Sequence, residues 1–329
     1  MKTREYSFDI LRSIAMIMVI VVHVSNVYSR SFGIIGNKSF IISLFFNTVS
    51  RISVPIFLMI SGALLLDRKF DLKKYLKRLL KFLILIIVWD IIYLIWEYLY
   101  LGITYNKLYN LVLNPYRAHL WFLYTILLLY AIQPILRVIM SKSNKQVKIF
   151  LFSIWLILSS LSMVNRTIAE VFTIFSYIGF FCIGKYLYEY AKNKDLRKYN
   201  ILLILIMIAC FTTSITLNYL SSMKYNMFYN LYFAYRTPFI IFSSFAFYIL
   251  IISNYRKNSL NKGLMLLSDL SLGVYLIHGI FLDITIKRFI YQNINALVGI
   301  PLFTIIIFIL SIISVFIIKK IKFIRYIIS

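Results

Sequence analysis

Charged residues are scarce in this sequence, and their scarcity excludes a soluble globular protein. Asp, Glu, Lys and Arg make up 14% of the 329 residues, whereas 61% of the residues are hydrophobic. Soluble domains contain about 25% charged residues, which cover their surface with polar groups. We therefore expect an integral membrane protein.

Cysteines and linker segments are also few. Cys182 and Cys210 are the two cysteines, and both lie in apolar runs, where a thiol behaves as a small hydrophobic group. We predict neither a disulfide nor a metal site. No linker or low-complexity tract divides the chain, so residues 1–329 are predicted to form one membrane domain. The first apolar run exceeds the roughly 7 to 15 residues of a secretory signal core and is expected to remain as an anchor.

Ten apolar runs have the length of a membrane-spanning helix, which needs about 20 residues. They predict an all-α polytopic helix bundle. We number the predicted spans from one to ten: 8–28, 41–66, 76–100, 119–140, 148–165, 170–190, 200–220, 232–253, 264–288 and 297–318.

The excess of positive charge agrees with a membrane topology. A net charge of +25 would suggest nucleic-acid binding in a soluble protein. If the N-terminus is cytoplasmic, 25 of the 36 Lys and Arg residues fall in cytoplasmic segments. The positive-inside rule therefore places both termini in the cytoplasm, and the same charges attract anionic membrane lipid. We expect no nucleic-acid partner. The abundance of Ile, Lys, Asn and Tyr is typical of an AT-rich bacterial genome, so a bacterial cytoplasmic membrane is expected.

Ionisable residues inside the spans carry most of the information on function, because each costs about 2 to 3 kcal/mol at a helix centre. The first span reads FDILRSIAMIMVIVVHVSN and contains Arg12 and His23. Their spacing returns them to within about 20° of one helix face, about 16 Å apart along the axis. A structural role is the alternative: His23 would bond to a neighbouring helix, and Arg12 would reach lipid phosphate or pair with Asp9.

The third span adds a basic cluster and two carboxylates. Its opening, KKYLKRLLKFL, places four basic residues on much of one face at the cytoplasmic entrance: Lys74, Lys77, Arg78 and Lys81. Such a cluster would bind phosphates, or it is an ordinary positive-inside flank. Asp90 and Glu97 share a face further along, where they could orient a histidine or receive a proton.

Two further histidines are predicted near the depth of His23. HLWFLYTILLLYAIQP places His119 and Trp121 at the start of the fourth span, and SDLSLGVYLIHGIFLD places Tyr275 and His278 in the ninth. As alternatives, Trp121 could lie in the aromatic belt at the membrane interface or stack on a sugar, and His119 could be a solvated residue at a helix end. Three charged residues near outer helix ends are equally compatible with solvent exposure: Glu170, Arg236 and Asp283.

These motifs together resemble the acyltransferase-3 family of multi-pass membrane O-acyltransferases over essentially the whole chain. Asp9, Arg12 and His23 match the opening pattern of the family, RISVPIFLMISGALLL is similar to its second helix, HLWFLY to its fourth and SLGVYLIH to its ninth. The resemblance implies acyl-CoA, usually acetyl-CoA, as a cytoplasmic co-substrate, with no bound cofactor. It implies a hydroxyl of a cell-surface glycan or a lipid-linked sugar as the acceptor.

By the same resemblance, His23 would be the catalytic histidine and Arg12 part of the donor path. A family motif with two arginines three residues apart is present here as Arg78 and Lys81, so the second position keeps its charge but loses the planar fork of arginine. The donor phosphates would be held by Arg78 and Lys81 with Lys74 or Lys77. His23 would act as a general base or as a nucleophile that carries the acyl group, and burial would keep it neutral.

The main alternative is a polysaccharide exporter or a proton-coupled transporter, in which the intramembrane histidines relay protons. The lack of obvious repeats and of helices broken by glycine or proline argues against it. Only five prolines occur, and four lie within or beside spans: Pro55, Pro134, Pro238 and Pro301. A purely structural subunit would leave the cost of His23 unexplained.

The sequence leaves several properties open. It does not identify the acceptor or distinguish acetyl from succinyl transfer. Some relatives have an additional extracytoplasmic domain that takes part in transfer, so a separate partner protein could accept the acyl group. A homo-oligomer also remains open.

Overall fold

Helices form nearly all of the chain in the computed structural model, which describes residues 4–102, 117–161, 163, 166–255, 261–288 and 293–321. No strand occurs within these ranges, so the all-α prediction is confirmed. Eleven α-helices are present: α1 Tyr6–Arg30, α2 Asn37–Ser50, α3 Ser53–Leu65, α4 Leu72–Trp96, α5 Trp121–Lys142, α6 Lys145–Leu161, α7 Arg166–Asn193, α8 Asn200–Tyr225, α9 Pro238–Asn254, α10 Lys262–Arg288 and α11 Ala296–Lys320. Short turns flank them: a π-helical turn at Glu97–Leu101 and 3-10 turns at Ala118–Leu120, Arg197–Tyr199 and Leu231–Phe233.

Some predicted features lie outside the described residues. They are residues 103–116 in the predicted outer loop, residues 256–260 and 322–325 in the predicted cytoplasmic segments, and the side chain of Glu170.

Within the described residues, eight helical segments are long and apolar enough to cross a membrane by length and composition. The helices α6 and α7 correspond to the fifth and sixth predicted spans, so the prediction of about ten spans is roughly met. Large apolar side chains remain exposed along the outer faces of these helices, for example Ile84, Ile87 and Ile91 on α4. Contiguous apolar surface of this kind suits contact with lipid rather than with water.

The second predicted span, 41–66, is met by the segment Asn37–Leu65, but this segment is not one continuous helix. It divides into α2 and α3 at Arg51 and Ile52. Pro55 gives the physical reason: a proline has no N–H to bond the carbonyl four residues earlier, here that of Arg51, and its ring crowds that carbonyl. The absence of proline-broken helices therefore no longer argues against a transporter.

Helix α1 lies at the centre of the bundle and packs against α2, α3, α9, α10 and α11. Its apolar residues include Leu11, Ala15 and Ile20, which are fully buried. The i, i+4 spacing of Leu11 and Ala15 puts them on one face, as expected for a helix that is covered by neighbours. The central position of α1 places Arg12 and His23 inside the protein.

Both ends of the described chain lie on the same side of the bundle. Arg4 donates to Asp269 near the start of α10 at 3.0 Å. Lys319 in the last turn of α11 donates to the carbonyl oxygen of Asp269 at 2.7 Å. The clustering of Lys and Arg assigns this side to the cytoplasm, as predicted for both termini.

Candidate functional site

Three histidines from three separate segments meet inside the bundle. The ring centroids of His23 on α1 and His278 on α10 are 5.0 Å apart. His119, on the 3-10 turn before α5, lies 5.0 Å from His278 and 6.1 Å from His23. His119 is only 8% exposed, so the interpretation of His119 as a solvated helix end is wrong. We call these three residues the histidine cluster.

Hydrogen bonds fix the orientation of the cluster. His278 Nδ1 lies 2.5 Å from the carbonyl oxygen of Tyr275. A carbonyl only accepts, so Nδ1 carries the proton and Nε2 of the neutral ring is left as an acceptor. The Tyr275 hydroxyl donates to the carbonyl oxygen of His119. The Nε2 atoms of His119 and His278 are buried without a partner within the described part of the chain.

Residues of α4 and α10 pack closely against the His119 ring. Tyr93 on α4 donates to the carbonyl oxygen of Leu276 at 2.7 Å, and its ring centroid lies 4.8 Å from that of His119. A side chain at Gly279 would collide with the His119 ring and the Tyr93 hydroxyl. The glycine therefore permits the close approach of α10 to both residues.

Arg12 lines two cavities on the side of the histidine cluster that faces the chain termini. The inner cavity, about 410 Å³, is lined by Arg4, Asp9, Arg12, Arg68 and Lys192, among others. The inner cleft, about 180 Å³, is lined by Arg12, Ser61, Tyr130, Ser271 and Tyr275, among others. Tyr275 of the inner cleft also lies beside His119 and His278, with ring centroids 6.2 and 5.9 Å away, so the inner cleft lies next to the histidine cluster.

Asp9 pairs with Arg4 rather than with Arg12. Arg4 binds the carboxylate of Asp9 through two nitrogens, at 2.7 and 2.9 Å. The hydrogen bond to Asp9 raises the pKa of Arg4 above its ordinary value, against the opposing effect of burial. Arg12 forms no ion pair in the described structure, so the predicted alternative of an Asp9–Arg12 pair is wrong.

Of the four basic residues predicted to bind donor phosphates, Arg78 is the one that lies against Tyr130, a lining residue of the inner cleft. Its guanidinium lies 5.7 Å from the ring centroid of Tyr130, and the ring also interacts electrostatically with Arg12 and Arg68. Lys74 is instead exposed and pairs with Asp71 at 2.9 Å. Two further members of the set are exposed on α4: Lys77 and Lys81.

The two carboxylates of the third predicted span face different partners. Asp90 is buried and accepts a hydrogen bond of 2.5 Å from the Tyr124 hydroxyl. Glu97 binds Arg117 at 3.0 Å. Arg117 also pairs with Asp283, which accepts a hydrogen bond from Trp96 at 3.0 Å. Asp283 is therefore not simply solvent-exposed.

A larger cavity of about 640 Å³ opens on the side of the histidine cluster away from the chain termini. This outer cavity is lined by Arg51, Tyr177, Asn230, Tyr235 and Arg236, among others. Trp121 stacks on Tyr177 with ring centroids 5.2 Å apart and an interplanar angle of 29°. It therefore supports a wall of the outer cavity, which its interpretation as a membrane-interface residue did not anticipate.

Comparison with known proteins agrees with this arrangement. The family model described as an acyltransferase domain, acyltransferase-3, matches residues 5–320. The chain belongs to the acyltransferase-3 family. No curated protein and no solved structure matches it significantly. This acyltransferase is a multi-pass membrane protein by its helices and its family.

Several residues that line the cavities around the histidine cluster were not predicted from the sequence. Arg4 and Arg68 line the inner cavity, Tyr130 the inner cleft, and Arg51 the outer cavity. Of these residues, Arg51 could have been identified from the sequence, because it is a charged residue in an apolar run, four residues before Pro55. The others lie at helix ends or in a tyrosine-rich sequence, where nothing distinguishes them.

Proposed function

We propose that this membrane acyltransferase moves an acyl group, most commonly acetyl, from cytoplasmic acyl-CoA to a hydroxyl of an extracytoplasmic glycan or lipid-linked sugar. The observation that carries the proposal is the position of the histidine cluster between two spaces of opposite access. The inner cavity and inner cleft lie on the cytoplasmic side of it, and the outer cavity lies on the other side.

The inner spaces suit the donor. Arg12, Arg68 and Arg78 surround Tyr130 at the entrance to the inner cleft, where their charges would attract the phosphates of coenzyme A. Arg12 forms no ion pair in the described structure, so its guanidinium is available to a ligand. The pantetheine arm would then extend along the inner cleft past Tyr275 to the histidines, bringing the thioester to His23.

His23 suits the reacting position because it is only partly buried, whereas His119 and His278 are enclosed. A neutral imidazole at this position would take the proton of the acceptor hydroxyl, which then attacks the thioester carbonyl and releases coenzyme A thiol. His278, fixed by its bond to the Tyr275 carbonyl, orients its Nε2 atom within the cluster. An acyl-histidine intermediate is the alternative role for His23.

A transporter would use the same histidines as a proton relay, and the break between α2 and α3 is compatible with that function. The family match to an acyltransferase domain favours the enzyme. Acyl transfer also uses both sets of cavities, one for each substrate.

The deciding experiment follows radiolabelled acetyl from acetyl-CoA into the glycan fraction of inverted membrane vesicles. The His23→Ala substitution is expected to abolish transfer, because it removes the imidazole that would take the proton of the acceptor hydroxyl. Ile17→Ala, on an exposed part of the same helix, is the matched control and is expected to retain activity. The insertion of each variant is checked by its amount in the membrane. Appreciable transfer by the His23 variant would contradict the assignment.

A further inference from the structure

The outer cavity contains two arginines but no carboxylate among its described lining residues. Arg51 lies at the junction of α2 and α3, and Arg236 precedes α9. Both side chains are half-buried, so neither is an ordinary solvated surface charge. A half-buried cation with no acidic partner among the described residues is stabilised by an anion that binds beside it.

Contacts with the cavity wall hold Arg51 in place. Its Nε donates to Asn47 Oδ1 at 2.9 Å. Its guanidinium lies 5.8 Å from the ring centroid of Phe233 and 5.7 Å from that of Tyr235. These contacts fix the plane of the guanidinium and leave its two terminal nitrogens for a ligand.

Arg236 retains an unsatisfied donor. Its Nε is buried and has no hydrogen-bond partner within the described part of the chain. Leaving such a group unpaired is unfavourable, and an unpaired polar group of this kind requires an explanation. Tyr177 interacts electrostatically with both Arg236 and Arg51, so the two arginines are directed toward one region of the cavity.

We infer that the outer cavity binds an acceptor that carries an oxyanion, either a carboxylate or a phosphodiester, and that Arg51 and Arg236 hold this group. The inference rests on the proposed function, because it specifies the acceptor class for the same transfer. Arg51 also lies within electrostatic range of His23, so the oxyanion would be held beside the reacting hydroxyl.

The rest of the outer cavity suits a sugar-sized ligand. Its volume of about 640 Å³ lies within the range of small-molecule sites, about 300 to 1,000 Å³. Tyr177 and Tyr235 offer ring faces, and Asn230 offers an amide for hydroxyl groups. Two cations alone would fit many anions, whereas cations beside aromatic rings and an amide favour a charged saccharide or polyol.

Binding to the purified full chain tests the inference without relying on catalysis. The protein is placed in nanodiscs of zwitterionic lipid, and calorimetry measures three probes: an oligogalacturonate, a glycerol phosphate oligomer and a neutral chitin oligosaccharide. We expect at least one charged probe to bind, the neutral probe to bind at least tenfold more weakly, and added salt to weaken only the charged probe. The preferred charged probe identifies the oxyanion as carboxylate or phosphodiester.

Variants identify the residues that bind the probe. Arg236→Gln and Arg51→Gln are each expected to weaken binding of the charged probe by about tenfold or more, the loss expected for a charge-assisted hydrogen bond. Arg30→Gln, at the exposed end of α1, is the matched control and is expected to bind as the unmodified protein does. Equal binding by Arg236→Gln and Arg30→Gln would overturn the inference.

Further outcomes of the same experiments support or overturn the inference. Equal binding of neutral and charged probes, or salt-independent binding of the charged probe, overturns the inference. Loss of probe binding when phosphatidylglycerol is added to the nanodiscs shows that the arginines hold a lipid headgroup, which also overturns it. Charged-probe binding that is retained in His23→Ala supports it. If that binding occurs but acetyl transfer is absent in the unmodified protein, the proposed enzyme fails while the oxyanion site stands.

Discussion

Arg12 is half-buried and forms no ion pair in the described structure, which is unusual for a charged residue inside a membrane. Asp9, the nearest carboxylate in sequence, is occupied by Arg4. Arg12 instead lines both the inner cavity and the inner cleft. A guanidinium in this environment gains from an anionic ligand, because the ligand replaces hydration lost on partial burial and accepts charge-assisted hydrogen bonds.

Arg78 and Lys74 test which part of the basic helix start binds the donor. Arg78→Gln is expected to raise the apparent KM for acetyl-CoA about tenfold, because a charge-assisted hydrogen bond to a phosphate is lost. Lys74→Gln is the matched control and is expected to change the KM less than twofold, since the Lys74 side chain is 81% exposed and pairs with Asp71. Donor titrations in inverted vesicles measure both values. An unchanged KM in the Arg78 variant would remove this residue from the donor site.

At the scale of helices, the pair α3 and α7 forms a close contact through glycines. A side chain at Gly62 would collide with the backbone carbonyl of Phe181, and one at Gly184 with the backbone of Met59. Small residues allow helix backbones to approach closely in membranes. This contact holds α7, with Tyr177 of the outer cavity, against the helix that follows Arg51.

Gly62→Ala is expected to destabilise the α3–α7 contact by about 1 to 3 kcal/mol, the cost of overpacking a close interface. The buried thiol of Cys182 on α7 provides the readout, because it reacts with a thiol-reactive dye only when α7 separates from its neighbours. In a Cys210→Ser background, we expect the temperature of dye labelling to fall. Gly263→Ala, whose added carbon meets only the side chain of Asn261, is the control. An unchanged labelling temperature in the Gly62 variant would show that α7 can shift without cost.

At the scale of the whole molecule, ion pairs and charge distribution agree on the orientation. Arg4, Asp269 and Lys319 connect the N-terminal end with α10 and α11 on one side. Most Lys and Arg residues belong to segments on that side, as the positive-inside rule requires of the cytoplasm. The inner cavity lies on this side, as the proposed use of cytoplasmic acyl-CoA requires.

Labelling of single cysteines tests the orientation. In a Cys182→Ser, Cys210→Ser background, Lys224→Cys at the end of α8 is expected to react with a membrane-impermeant maleimide in right-side-out vesicles. Lys194→Cys, just before α8, is expected to react only in inverted vesicles. Both positions are exposed, and a helix of 26 residues between them is about 39 Å long, enough to cross a bilayer. The reverse pattern would invert the topology, and labelling of both from one side would show that α8 does not cross.

The sequence predicted the helical class and the approach of the three histidines, because helical periodicity and depth are local properties. It did not predict that Asp9 would form an ion pair with Arg4 rather than with Arg12, because that pairing depends on the path of the chain before α1. The basic start of α4 looked uniform in sequence, yet only Arg78 reaches Tyr130 on α5. The face of α4 that contacts α5 depends on side-chain packing between the two helices. The sequence of α4 alone does not determine it.

The amino-acid sequence by itself determined the membrane location, the all-α class, the orientation expected from its charges and the presence of two ionisable residues, Arg12 and His23, in the first span. Hydrophobic length, charge distribution and the cost of intramembrane ions fix these features residue by residue. The tertiary structure alone decided that Arg51 and Arg236 share a cavity, that Trp121 supports its wall and that Asp90 binds Tyr124. These contacts join segments far apart in the chain, and only the packing of whole helices brings them together.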